Sequence, residues 1–208
     1  MNYLKKAIQS DNPLEYLRQI ICPYSHKKLI KHIKNCSDCV GASSKSLPYG
    51  NPDANILIIN GNATESEEAS SFFDDLLTES GIDKEDIYVI NSINCVFKRS
   101  DGIERLPSDK ERTNCRYFVD NAIDFVKPRI IIAMGATIIN SYYPGFCFLK
   151  DDEKYGYIHN IKTVITDSIT ELERMSNYLP EEDMNEKIQD LYNSFVYAKE
   201  YIEEMGDD

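Results

Sequence analysis

Ile56-Leu57-Ile58-Ile59-Asn60-Gly61 is the stretch on which the fold turns. Four consecutive apolar residues, three of them β-branched, suit a strand buried on both faces, where no position alternates to solvent. Asn60 and Gly61 then end the run with polar, turn-forming chemistry. Downstream, Ile87-Tyr88-Val89-Ile90, Ile130-Ile131-Ile132-Ala133-Met134 and Thr163-Val164-Ile165 read as three further strands of this kind.

Helical stretches separate them. Glu67 to Ser80 reads as a helix ending at Gly81, a natural left-handed cap. Ser108 opens a second helix with an acidic first turn, and residues 183–204 form a long closing helix. Strands alternating with helices predict a three-layer α/β/α sandwich with a four-stranded, mostly parallel sheet. Upstream, residues 2–21 have helical spacing through Leu4, Ile8, Leu14, Leu17 and Ile21, and a basic helix surrounds Leu29 to Ile33. The expected organisation is one domain over residues 1–208. A helical segment spans 1–34, the core spans 35–175, and an acidic C-terminal helix spans 180–208.

In such sheets ligands bind beyond the carboxyl ends of the strands. That singles out Asn60-Gly61-Asn62, Asn91-Ser92, Gly135-Ala136 and Thr166-Asp167-Ser168 as a cleft floor.

Composition narrows the class. The chain has 208 residues, 42% of them hydrophobic and 28% charged, as soluble globular proteins do. No apolar run approaches the roughly 20 residues a membrane span needs, and the first ten residues do not form a signal peptide. A cytoplasmic protein with reduced thiols is the expectation. The net charge of −12 is uneven. Residues 1–50 carry eight Lys/Arg against three Asp/Glu, and residues 180–208 carry two against ten. The basic quarter either faces phosphates or is the solvated surface of an amphipathic helix. The acidic end repels nucleic acid and offers itself to a protein partner.

Four cysteines carry the strongest chemical signal. Cys36 and Cys39 form a C-x2-C pair, and Cys95 and Cys115 fall where core elements end or begin. Four thiolates accept an iron–sulfur cluster or a zinc ion equally well. Cys22 and Cys147 read as plain small hydrophobes.

Taken together these residues resemble the iron–sulfur (family 4) uracil-DNA glycosylases, including their relatives associated with phage DNA polymerases. The segment from Cys36-Ser37-Asp38-Cys39 through Tyr49-Gly50-Asn51-Pro52-Asp53-Ala54-Asn55-Ile56-Leu57 is similar to that family's C-x2-C and entry strand. Gly81-Ile82 through Tyr88-Val89-Ile90-Asn91, then Arg105, Pro107, Glu111 and Cys115, then Pro128 to Gly135, follow in the family's order. The resemblance covers about residues 35–175. It implies a uracil-DNA glycosylase-like fold and a 4Fe-4S cluster on Cys36, Cys39, Cys95 and Cys115, with zinc as the alternative. It also implies a pocket for a base flipped out of single-stranded or uracil-containing DNA.

The pocket motifs depart from the family. Asn91 stands at the base-reading asparagine, where an amide donates and accepts at once; a turn-capping role is the plainer alternative. Asn62 replaces the acid of G-E-A/G-P-G, and Glu65, Glu67 and Glu68 are candidate substitutes. The loop bearing P-F-x-G is missing, and Phe72 and Phe73 align with a core-facing helix. Asp167 replaces the histidine of H-P-S, while His159 reads as a loop histidine. The expectation is a family fold with its catalyst dismantled, serving as a DNA- or protein-binding factor in replication or repair. The acidic C-terminal helix is its candidate docking surface, and a phage origin fits the polymerase-associated relatives. Two alternatives stand beside it. One is an active glycosylase with an altered pocket using Glu65 or Asp167. The other is a zinc or iron–sulfur protein-interaction domain without nucleic-acid binding.

Overall fold

The structure is a computed structural model that describes residues 25–64, 66–142 and 154–206. The helix expected over residues 2–21, and Cys22, Glu65 and Cys147, lie outside the described residues. In chain order the elements are α1 His26–Asn35, β1 Ala42–Lys45, β2 Tyr49–Gly50, β3 Ile56–Asn62, α2 Glu67–Glu79, β4 Ile87–Ile93, β5 Cys95–Phe97 and α3 Asp109–Val126. They continue with β6 Ile130–Met134, α4 Ala136–Tyr142, β7 Tyr155–Ile158, β8 Ile161–Thr166, α5 Ile169–Met175 and α6 Glu181–Met205.

The four apolar runs form the parallel centre of one sheet, whose order is β2-β4-β3-β6-β8-β7. Ile56 pairs in register with Ile87 on one side and Ile130 on the other, and Ile132 pairs with Val164. Two short antiparallel strands, β2 and β7, extend the four expected strands at the edges. A separate ribbon joins β1 to β5 and brings Lys45 opposite Cys95.

Both sheet faces are covered, which explains why the central strands are apolar throughout. Leu57, Ile59, Tyr88, Ile90 and Ile131 face α1 and α3, where Leu29, Val119 and Ala122 are fully buried. Ile56, Ile58, Val89, Ile132 and Val164 face α2, α5 and α6, where Leu191, Phe195 and Ala198 are fully buried. The acidic C-terminal helix is thus one of the layers, with an apolar stripe inward and its carboxylates outward.

Local chemistry sets the boundaries. Ser66 caps α2 through Ala69 N–H, and Gly81 closes that helix at φ +68°. Ser108 and Glu111 form a reciprocal capping box at the start of α3, and Ser168 and Glu171 form another at α5. The β7–β8 hairpin turns through His159 and Asn160, both left-handed, as a two-residue type I′ turn requires. Among the described residues no helix is long and apolar enough to cross a membrane.

Candidate nucleobase pocket and cysteine patch

The carboxyl ends of β3 and β4 open into a cavity of about 430 Å³. That is ample for a small organic ligand. Asn60, Gly61 and Asn62 come from the end of β3, and Asn91 from β4. Ser168 and Thr170 follow β8, while Tyr49 and Phe73 supply aromatic surface.

Asn91 is held rather than loose. Its Nδ2 donates to Ser46 Oγ at 2.8 Å. Among the described residues that is the amide's hydrogen bond, so Oδ1 and the second N–H remain for a ligand. Asn62 Oδ1 is buried and has no hydrogen-bond partner among the described residues. An orphaned acceptor of this kind costs about 1–3 kcal/mol unless something donates to it.

Phe73 plays two parts. It is 6% exposed and packs edge-on to Phe195, as core packing predicts, yet it also forms cavity wall. Phe72 is partly buried against the same core.

Asp167 is not where its motif position suggests. Its carboxylate accepts from Lys187 Nζ of α6 at 2.9 Å, and Ser168, Ile169 and Thr170 form the cavity wall instead. The bond to Asp167 raises the Lys187 pKa above its ordinary value, against the opposing effect of burial. The expected bare negative charge is therefore paired with a cation and absent from the cavity lining.

Glu67 and Glu68 stay on the outer first turn of α2, where a Glu68 carboxylate oxygen lies 3.3 Å from Ser66 Oγ. His159 pairs with Asp120 at 3.0 Å in its turn, apart from the cavity. The acid that does line the cavity is Asp74 of α2, bound to Lys84 at 2.7 Å. Nothing in the sequence marked that pair, because an acid on an amphipathic helix followed ten residues later by a lysine is ordinary.

The four cysteines converge on one patch, beneath α1 and α3. Cys95 and Cys115 are buried in that core, and Cys36 and Cys39 pack against it partly exposed. All four are free thiols. Cys36 caps the C-terminus of α1, where Lys45 Nζ donates to the carbonyls of Lys34 and Cys36. Asn114 Nδ2 reaches Cys39 Sγ at 3.8 Å and ties the C-x2-C loop to α3.

Burial, together with the neighbouring cysteines, raises the thiol pKa of Cys95. Burial pushes Cys115 up to about 12, opposed by a main-chain hydrogen bond from Asn94. Such thiols stay protonated at neutral pH unless a cationic centre stabilises the thiolates. Asn94, next to Cys95, is 1% exposed, and neither Oδ1 nor Nδ2 has a partner among the described residues.

Four free thiols on one patch, beside an unsatisfied buried amide, fit a thiolate-bound centre as a donor set. Among the described residues no three His, Cys, Asp or Glu side chains gather tightly enough for a single metal ion.

With this geometry in hand, comparison places the chain. The model of the uracil DNA glycosylase superfamily matches residues 47–192. The chain belongs to that superfamily. One relative, a type-4 uracil-DNA glycosylase of Thermotoga maritima, is 26% identical over 138 residues, covering 59% of this chain and 70% of its own. The matched region of the superfamily takes in β2 through the first half of α6. Cys95, Cys115, Asp167, Lys187 and all of the cavity lining except Ser46 fall inside it.

Proposed function

We propose that this superfamily member binds single-stranded DNA, holds an unstacked uracil-like base in the β3–β4 cavity, and does not hydrolyse it. It would act as a DNA-binding factor in replication or repair. The observation that carries this reading is Asn91, fixed by Ser46 with an acceptor and a donor left over on the cavity wall. Uracil's N3–H and O4 ask for that pair.

Hydrolysis asks for more. Negative charge develops on the departing base, and preorganised donors there are worth a few kcal/mol each. A carboxylate must also position water against the sugar cation. Here Asn62 is an amide, and Ser168 and Thr170 are hydroxyls. Asp74, the carboxylate on the cavity wall, is tied to Lys84 in an exposed pair. Losses of this kind usually cost orders of magnitude each, although they do not add simply.

In the same reading Cys36, Cys39, Cys95 and Cys115 hold a 4Fe-4S cluster. The cluster's part is structural, fastening α1 and the C-x2-C loop to α3. Among the described residues no three His, Cys, Asp or Glu side chains gather around one point, which speaks against a single zinc ion. A zinc ion needs sulfurs about 2.3 Å from a single centre.

The test incubates purified protein with uracil-containing single-stranded DNA, then alkali, and measures binding by fluorescence anisotropy. Intact strands are expected, together with binding that Asn91→Ala abolishes. Strand breakage lost in Asn91→Ala overturns the non-hydrolytic reading. The preparation should be brown and contain iron and acid-labile sulfide; a colourless protein with one zinc per chain defeats the cluster.

One observation favours a second reading. Asp74 places a carboxylate on the cavity wall, and a glycosylase that uses it would lose strand breakage in Asp74→Asn.

A further inference from the structure

A second cavity, of about 280 Å³, lies beside the first. Asn62, Thr64 and Thr170 line both, so the two are compartments of one groove divided by those three side chains. The second compartment has a different lining. Val96, Phe97, Ile103 and Pro107 make an apolar surface, and the Arg105 and Arg174 side chains border it.

Its wall is preorganised. The loop between β5 and α3 is closed by Arg99 N–H on Ile103 O at 2.8 Å and Arg105 N–H on Phe97 O at 2.9 Å. The Arg105 guanidinium stands 4.6 Å from the centre of the Phe97 ring and makes two hydrogen bonds to Glu111. Held this way, the loop presents Ile103 to solvent at 56% exposed. Exposed apolar side chains on a fixed loop mark contact surface.

Arg174 is the cation left over. Arg105 is committed to Glu111, whereas the Arg174 guanidinium makes no hydrogen bond or ion pair among the described residues. Two carboxylates also face this compartment. Glu173 receives Ser66 Oγ at 3.0 Å, and Glu104 bridges to Lys98 through its backbone. Charge therefore favours a neutral ring inside, with a phosphate only at the Arg174 edge.

The geometry points to a second nucleotide subsite. This compartment takes the unpaired base adjoining the one in the first, stacked on Ile103 and Pro107, with the linking phosphate on Arg174. The ligand is then at least a dinucleotide of single-stranded DNA, because a paired neighbour cannot leave its stack. This inference rests on the nucleobase-pocket reading above.

The test measures anisotropy of a short fluorescent single strand containing one uracil, across a salt titration. Arg174→Ala should weaken binding several-fold and flatten the slope of log K against log salt by about 0.7, the share of one single-strand phosphate. Replacing the base beside uracil with an abasic spacer, on one of its two sides only, should cost about fivefold or more, from the apolar area the ring buries. Ile103→Ser should erase that difference.

Arg174 and Ile103 are exposed, so neither variant threatens folding, and melting curves check this. If Asn91→Ala abolishes binding while Arg174→Ala and both spacers change nothing, the subsite is refuted and the base pocket stands. If Asn91→Ala binds like the parent, or the parent does not bind at all, the pocket reading fails and takes the subsite with it.

Discussion

Replacing Glu111 with glutamine tests whether charge, rather than shape, locks the loop that walls the second compartment. Glu111 is 8% exposed and receives four hydrogen bonds at 2.7–2.9 Å: two from Arg105, one from Ser108 N–H and one from Ser108 Oγ. The Arg105 guanidinium first, and Ser108 after it, outweigh burial and hold the carboxyl at about 2 instead of its ordinary 4.5. That difference corresponds to roughly 3 kcal/mol of stability at neutral pH.

The sign follows from which state binds protons. With a depressed folded pKa, the contribution is complete above about 4.5 and is lost as pH falls toward about 2, where the folded carboxyl also protonates. About half should remain at pH 3. Glu111→Gln preserves the shape and removes the charge. With a urea slope of about 2–3 kcal/mol per molar, the unfolding midpoint at pH 7 should drop by about 1 M, and at pH 3 by about half as much. Circular dichroism in urea reads both. An equal drop at the two pH values would refute the argument, since it would mean the side chain acts by shape alone.

Phe195→Ala removes a fully buried ring that packs on Phe73, and should lower stability by about 3–5 kcal/mol in the same urea assay. Gly50→Ala places a Cβ about 2.3 Å from Ile87 O at φ +102°, so β2 must leave β4. Thermal melting should show a loss of at least about 2 kcal/mol, and Tyr49 should lose its place on the cavity wall. Lys187→Ala frees the Asp167 carboxylate. The pair is partly exposed, so stability should change by at most about 1 kcal/mol, while single-strand affinity should fall most at low salt. Undiminished low-salt affinity would place Asp167 too far from the strand to matter.

The central strands were legible because both their faces are buried. Ile56-Leu57-Ile58-Ile59 and Ile130-Ile131-Ile132 admit no amphipathic reading once helices cover each side. The edge elements were not. Tyr49-Gly50, Ala42-Ser43-Ser44-Lys45 and Tyr155-Gly156-Tyr157-Ile158 are short and polar or tyrosine-rich, and exist as strands by pairing with β4, β5 and β8.

At the site, Asn62 and Asn91 could be placed because they lie at the carboxyl ends of β3 and β4, just past the apolar runs that mark those strands. The orientation of Asp167 could not, since its partner Lys187 lies 20 residues on, along a different element. The second compartment was hidden for a similar reason. Its walls come from β5, the loop before α3 and α5, and no local pattern joins Phe97 to Arg174.

The ionic groups near the groove are paired. Asp74 meets Lys84 and Arg105 meets Glu111, while Asp167, off the cavity wall, meets Lys187. Under the proposed reading, no uncompensated charge on the first compartment's wall is left to favour a glycosidic transition state over the bound base. The first compartment keeps amides and hydroxyls, which bind a neutral base as well before any bond breaks as they would later. Binding of that uniform kind gives affinity without acceleration. Under the proposed reading, the first compartment holds a base at rest, and the uncommitted Arg174 supplies affinity from the neighbouring nucleotide.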